Sequence, residues 1–427
     1  MDLLKKRLLA LLGCAVDVRG GEVRALLISF AYFFCLLCGY YILRPLRDEM
    51  GIAGGVRNLP WLFTGTFAVM LLVVPVFGAV VSRFPRRQLV PLIYRFFIAH
   101  ILLFYILFTI DVGRVLLART FFIWVSVYNL FVVSVFWSFL ADLFRSGQGK
   151  RLFGFIAAGG TAGAILGPAI TTILAVPLGP LNLLLISAVF LELAVQCIRL
   201  LLRSPGVKKG SGPTPAEDSI GGSIFAGAVQ VFRSPYLMCI CFYILLFTTT
   251  STFVYFQQAH IVSGAFEDPA DRTRVFGAIN LIVGLLTLVV QWFFTGRFMA
   301  RFGVGAALAF LPIVVGAGFF ALALSPAVWV LIVFQSIRRT SNFAISRPAR
   351  EVLFTVVSRE DKYKSKNFID TLVYRGGDAV SGWAFAGLSA LGLGLSAIAA
   401  LAVLLSVLWA RMAKVLGKNQ EDLAEIG

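Results

Sequence analysis

The side chains in this sequence with the most chemistry to offer are arginines set inside long apolar runs. Arg44 and Arg47 stand in Ile42-Leu43-Arg44-Pro45-Leu46-Arg47-Asp48-Glu49, and Arg338 and Arg339 in Gln335-Ser336-Ile337-Arg338-Arg339-Thr340-Ser341-Asn342. Arg375 stands in Tyr374-Arg375-Gly376-Gly377-Asp378, and Arg95 lies within a further run, where it is expected to be buried. A guanidinium is planar and permanently charged, and it grips carboxylate or phosphate through two parallel N–H donors. Ionisable groups in apolar surroundings are costly and mark functional sites. Several arginines converging on a central cavity favour a polyanionic ligand, with Asn342, Thr249 and Asn280 as neutral polar neighbours. Internal neutralisation is the alternative, and Asp48, Glu49, Asp370 and Asp378 are the acids placed to supply it.

Other chemistries find less support. Glu192, alone in its run, is a candidate for proton coupling, or else pairs with an arginine such as Arg199. The two histidines, His100 and His260, read as structural or interfacial. The polar run Thr248-Thr249-Thr250-Ser251-Thr252, with Asn280 and Gln257, is placed to line a pathway. There is no His-Glu-x-x-His, no Gly-x-Ser-x-Gly and no Gly-x-x-x-x-Gly-Lys-(Ser/Thr), so no enzyme, metal site, cofactor or bound nucleotide hydrolysis is expected. Cys35 and Cys38 make a Cys-x-x-Cys without further soft ligands nearby and read as small apolar residues.

The elements that position these residues follow from composition. Of 427 residues, 59% are hydrophobic and only 14% charged, where a soluble chain carries roughly a quarter charged. The reading is an all-α polytopic membrane protein. A bilayer span needs about 20 mostly apolar residues. Twelve runs qualify, near 24–43, 59–81, 89–110, 117–141, 153–175, 179–202, 236–258, 274–295, 304–325, 327–346, 367–389 and 392–412. The polar, Gly/Pro/Ser-rich stretch from Ser204 to Ser219 divides them into six and six. The expected organisation is a cytoplasmic amphipathic N-terminus (1–22), a six-helix half (23–202), a cytoplasmic linker (203–234), a second six-helix half (235–414) and a cytoplasmic tail (415–427). Within the linker, Ile224 to Phe232 is amphipathic enough to lie on the membrane surface. The net charge of +17 falls mainly in loops on one side of the membrane. That distribution places both termini in the cytoplasm, suits a bacterial inner membrane, and argues against nucleic acid as partner.

The halves echo one another. Gly78-Ala79-Val80-Val81-Ser82-Arg83-Phe84-Pro85-Arg86-Arg87 and Gly296-Arg297-Phe298-Met299-Ala300-Arg301-Phe302-Gly303 share the form Gly-x-x-x-small-Arg-Phe-(Pro/Gly) at equivalent places. Both resemble the cationic loop of the major facilitator superfamily, which is built of two parallel six-helix halves. The resemblance makes Arg83, Arg87 and Arg301 candidates for capping helix ends and latching the halves together. Gly163-Ala164-Ile165-Leu166-Gly167-Pro168 resembles the glycine-proline signature of exchangers in that superfamily, and close helix packing explains it equally.

A second resemblance is to the ATP/ADP translocases of plastids and obligate intracellular bacteria. Ile42-Leu43-Arg44-Pro45-Leu46-Arg47-Asp48 resembles that family's Ile-Leu-Arg-Asp-x-Lys-Asp, and Arg347-Pro348-Ala349-Arg350-Glu351 its Asp-Pro-Thr-Lys-Glu. Lys364-Ser365-Lys366-Asn367-Phe368-Ile369-Asp370 and Tyr374-Arg375-Gly376-Gly377 resemble its Lys-Gly-Lys-x-x-Ile-Asp and Gly-Lys-Ser-Gly. Two pathway lysines of the family become Arg47 and Arg375, and its membrane-embedded glutamates have no counterpart in Phe121–Leu140 or Tyr236–His260. What the resemblance implies is a divergent secondary transporter, monomeric in the bilayer, that moves a phosphate- or carboxylate-bearing organic anion by alternating access. Nucleotide exchange of the ATP:ADP type is the specific form. An exporter or lipid flippase using the same arginines is the alternative, and a non-transporting structural or sensory protein the third reading.

Overall fold

In lipid every backbone N–H and C=O must find its partner within the segment, so apolar runs of this length become helices. The computed structural model describes residues 22–83, 86–144, 146–203, 224–358, 365–366 and 368–426. Its helices are α1 (Val23–Ala53), α2 (Leu59–Arg83), α3 (Arg86–Thr109), α4 (Arg114–Leu143), α5 (Ser146–Leu178), α6 (Asn182–Leu202), α7 (Ile224–Arg233), α8 (Pro235–Ala265) and α9 (Pro269–Val290). They continue with α10 (Gly296–Leu324), α11 (Val328–Ser341), α12 (Arg347–Leu353), α13 (Tyr374–Ala390) and α14 (Leu395–Ile426). No strand occurs among the described residues.

Among the described residues the twelve apolar runs fall largely on helix, and nine segments are long and apolar enough to cross a membrane. The difference has two local causes. Pro269–Leu324 is one 56-residue stretch containing two runs, bent at Gly303, whose φ of 77° is a conformation left to glycine. The runs at 327–346 and 367–389 are less apolar, one holding Arg338 and Arg339 and the other Asp370, Arg375 and Asp378; each also carries a π-helical turn, Asn342–Ser346 and Ile369–Val373. The amphipathic segment before α8 forms the helix α7. The N-terminal segment through residue 21, most of the linker, and the side chains of Arg83 and Arg87 lie outside the described residues.

The chain divides into two compact units. The first comprises Met1–Gly54, Ala68–Pro215 and Asp268–Leu281, and the second Gly55–Phe67, Ala216–Glu267 and Ile282–Gly427. Each unit therefore includes the opening turns of one helix from the other half of the sequence, α9 in the first and α2 in the second.

In the first unit α5 lies against α1 through Gly159, Gly163 and Gly167, spaced four apart. A Cβ on Gly159 would stand 2.5 Å from the Phe30 carbonyl oxygen, one on Gly167 2.6 Å from that of Cys38, and one on Gly163 closer still to that of Phe34. Helices associate in lipid through such small-residue faces, so packing accounts for the glycine-proline segment. Aromatic rings fill the rest. Tyr32 and Tyr94 share a hydroxyl hydrogen bond of 2.6 Å, and Phe33 stacks on Phe136 at 4.0 Å. In the second unit Trp409 packs against Tyr243 and Phe247, and the Tyr243 hydroxyl donates to the Leu308 carbonyl at 3.0 Å. The opening turns of α2 pack there against α8 and α13, with Trp61 edge-on to Trp383 and the Trp383 indole donating to Thr64.

Candidate functional site

In the first unit the last turns of α1 carry Arg44, Arg47, Asp48 and Glu49. Arg47 lies over the Phe122 ring at 4.0 Å, donates from Nε to the Ser126 hydroxyl at 2.9 Å, and meets Asp48 at 3.3 Å. Arg44, one turn earlier, lies over Tyr41 at 5.6 Å, and no acid stands within ion-pair distance of it among the described residues. A guanidinium above a ring gains cation–π attraction while keeping its in-plane N–H donors for an anion.

Glu49 is fully enclosed and accepts two bonds of 2.7 Å from Arg272, near the start of α9. The sequence reading named Glu49 without this partner. Arg272 precedes the apolar run assigned to the eighth span and reads as a loop charge, so nothing local singles it out. Arg119 closes the end of α1 by donating to the Gly54 carbonyl at 2.9 Å.

Two expectations are corrected here. Arg95 is an exposed residue rather than a buried one, because α3 turns it outward, and it is Arg95 that meets Glu192, at 3.4 Å. Arg199 instead donates to Gln196, which in turn bonds Glu192. Asn280 belongs to the first unit, buried, with its amide donating to the Phe276 carbonyl of its own helix at 2.7 Å.

In the second unit the threonine-rich turn of α8 is a seam between helices. Thr252 donates to Asp378 at 3.3 Å, and Ser381 donates to Thr249 at 3.0 Å. Gly377 lets α13 approach Thr248 closely, and Ser251 accepts from Arg338 at 3.0 Å. Arg338 also donates from two nitrogens to Gln335 Oε1, and Gln335 donates to Gln258 at 2.6 Å. Gln257 donates to the Leu395 carbonyl at 3.2 Å. Arg339 is half-buried beside Arg338. Asn342 opens the π-turn that ends α11, and its Oδ1 is buried without a hydrogen-bond partner.

Arg375 lies over Tyr374 at 5.5 Å and reaches Asp378 only at 3.8 Å. Asp370 is exposed and interacts with Lys366, Arg350 and Arg347. Arg301 is exposed beside Phe302, while Arg297 donates to the Phe293 carbonyl of the preceding turn at 3.0 Å. His100 and His260 each bond a carbonyl of their own helix, those of Phe96 and Phe256.

Among solved structures, a POT family transporter in complex with 5-aminolevulinic acid superposes with a TM-score of 0.65, covering 93% of this chain and 96% of that one at 11% identity. The nucleoside transporter NupG gives 0.63, over 93% and 99% at 13% identity. A bacterial homologue of the human lysosomal transporter Spinster, inward-facing and unoccupied, gives 0.59 over 95% and 99% at 13% identity. The fold is major facilitator-like. This major facilitator-like chain is an integral membrane protein, and it is also similar in sequence to "ADP,ATP carrier protein 1" of Chlamydia trachomatis, with 22% identity covering 83% of this chain and 80% of the carrier. The protein of the same name from Chlamydia muridarum is 21% identical over the same shares. No family model matches.

Proposed function

We propose that this protein is a secondary transporter that moves a phosphate- or carboxylate-bearing organic anion by alternating access, with nucleotide exchange as the specific form. One observation carries the reading. Arg44 is a permanent cation in a membrane helix with no acid at ion-pair distance among the described residues. Asp48 acts on Arg44 only from beyond ion-pair distance; an intramembrane cation without an ion-pair partner is expensive, and an anionic solute supplies one. Arg44 and Arg47 are the groups of the first unit assigned to the solute; taken by itself, the second unit offers Arg338, Arg339 and Arg375, with Asn342 about one turn along the chain from Arg338 and Arg339. Thr249 and Asn280 are assigned more to helix packing, since their hydrogen bonds go to protein groups. The similarity to carriers named for ADP and ATP, and the fold shared with a nucleoside transporter, support the same class. Both termini are assigned to the cytoplasm on the loop-charge argument.

The test is uptake of labelled ATP and ADP into proteoliposomes, against a panel of other organic anions and lipids. Uptake of a phosphorylated or carboxylated solute, lost in Arg44→Ala, is the expected result. Movement of lipid alone overturns the organic-anion reading.

A further inference from the structure

We propose that Arg347 and Arg350, together with Arg375, form a phosphate-binding subsite within the second unit. The proposal deepens the transporter reading and rests on it only for the source of the phosphate. Arg350 is half-buried and lies over the Phe247 ring at 4.9 Å. Arg375 lies over Tyr374 at 5.5 Å, and the Phe247 and Tyr374 rings are 5.8 Å apart. Two guanidinium groups thus rest on one aromatic bed. Arg347 is exposed and one helical turn before Arg350 on α12, a spacing that puts both on one face. All three arginines act electrostatically on Tyr374.

Arg347 and Arg350 differ from the other arginines of the candidate site in what holds them. Arg338 bonds Gln335 and Ser251, Arg47 bonds Ser126 and Asp48, and Arg272 bonds Glu49. Neither Arg347 nor Arg350 makes a hydrogen bond or ion pair to any described residue. Nearby Lys366 is taken by Glu351 at 2.6 Å. Asp370 and Asp378 remain as counter-charges for three arginines, and Asp378 is shared with Thr252. The balance is cationic.

The local backbone supports a built site. One π-turn, Asn342–Ser346, ends directly before Arg347, and another, Ile369–Val373, directly before Tyr374 and Arg375. Such turns insert a residue, re-aim the side chains that follow, and recur at functional sites. A phosphate suits the arrangement better than a carboxylate, because a terminal phosphate offers three acceptor oxygens to three separate cations.

The experiment titrates inorganic pyrophosphate into the full-length protein in phospholipid-free detergent, by calorimetry, with phosphatidic acid as a second probe. Arg347→Gln is on an exposed residue and tests the subsite without disturbing packing. Arg350→Lys keeps the charge and stands in if Arg350→Gln does not fold. Arg297→Gln removes an equal charge elsewhere in the unit. We expect pyrophosphate affinity to fall by roughly tenfold or more in the Gln variants, the scale of a charged hydrogen bond. It should fall in Arg350→Lys as well, because an ammonium reproduces neither the fork nor the ring stacking, and stay within about threefold in Arg297→Gln. A response of the same pattern to phosphatidic acid alone keeps the subsite and assigns its phosphate to lipid. Unchanged pyrophosphate and phosphatidic acid binding in both Gln variants overturns the subsite. If ATP and ADP are not transported yet the binding pattern holds, the nucleotide reading fails and the subsite stands. If they are transported and the pattern is absent, the subsite alone fails.

Discussion

At the scale of single residues, the arginines differ in how much of each guanidinium the protein already uses. Arg47 is fixed by a ring, a hydroxyl and a carboxylate, so its orientation depends on the planar fork. Arg375 has a ring and a carboxylate at 3.8 Å, which is closer to a point charge in a loose cage. Replacing either by Ala is expected to reduce the initial uptake rate by tenfold or more, the scale of one charged hydrogen bond, while leaving folded protein in the membrane. Arg47→Lys should cost nearly as much as Ala, because an ammonium cannot reproduce the stacked, Nε-bonded geometry. Arg375→Lys should retain most activity. Full activity in both Ala variants removes these residues from the site. Glu49 makes a separate prediction. Its two bonds to Arg272 are enclosed, so Glu49→Gln takes the bonded carboxylate from a mostly buried guanidinium, leaving Asp268 as a more distant counter-charge, and should cost about 3 kcal/mol. Thermal unfolding in detergent measures this, and an unshifted midpoint contradicts it. The arginines were legible in the sequence because a charge in an apolar run is conspicuous whatever surrounds it. Their partners were not. Asp48 could be paired with Arg47 by adjacency, but Arg272 is 223 positions from Glu49, and only the folded chain brings them together.

Among the elements, hydropathy made the helices legible because span length is set by the bilayer rather than by neighbours. The π-turns at Asn342–Ser346 and Ile369–Val373 were not, since an inserted residue is decided by packing around the helix and leaves no compositional mark. The threonine run of α8 shows the same limit. Its polarity suggested a pathway lining, whereas Thr249 and Thr252 spend their hydroxyls joining α8 to α13. The glycines of α5, for which helix packing is one of the two readings the sequence offers, do lie against α1, and they make a sharp test. Gly163 faces the Phe34 carbonyl with no room for a Cβ, and the backbone there has no side chain to move aside. Gly163→Leu should therefore abolish recovery of monodisperse protein, whereas Gly154→Leu, at an open position of the same helix, should not. Equal recovery of the two variants would show that α1 and α5 do not pack as described.

For the molecule as a whole, topology comes first. On the proposed orientation the linker is cytoplasmic, so cysteines placed at Ser211 and at Glu267 should label from opposite faces of the membrane, and labelling from one face removes the twelve-span arrangement. Mechanism then follows from which charges titrate. A proton-coupled carrier needs an acid in its pathway whose protonation changes between states. Glu192 is the acid most able to serve, but it is held by Arg95 and Gln196 on a half-exposed face of α6. Asp48 and Asp378 stand beside Arg47 and Arg375, and Glu49 is closed by Arg272. Arginines that have released their anion repel one another and any further cation in a low dielectric, so the return step is costly unless another anion rides it. The expected behaviour is exchange. Uptake should require a counter-substrate inside the vesicle, persist when an ionophore collapses the proton gradient, and survive Glu192→Gln. Uptake into empty vesicles, driven by an imposed pH gradient and abolished by Glu192→Gln, would replace exchange with proton symport and place Glu192 at its centre.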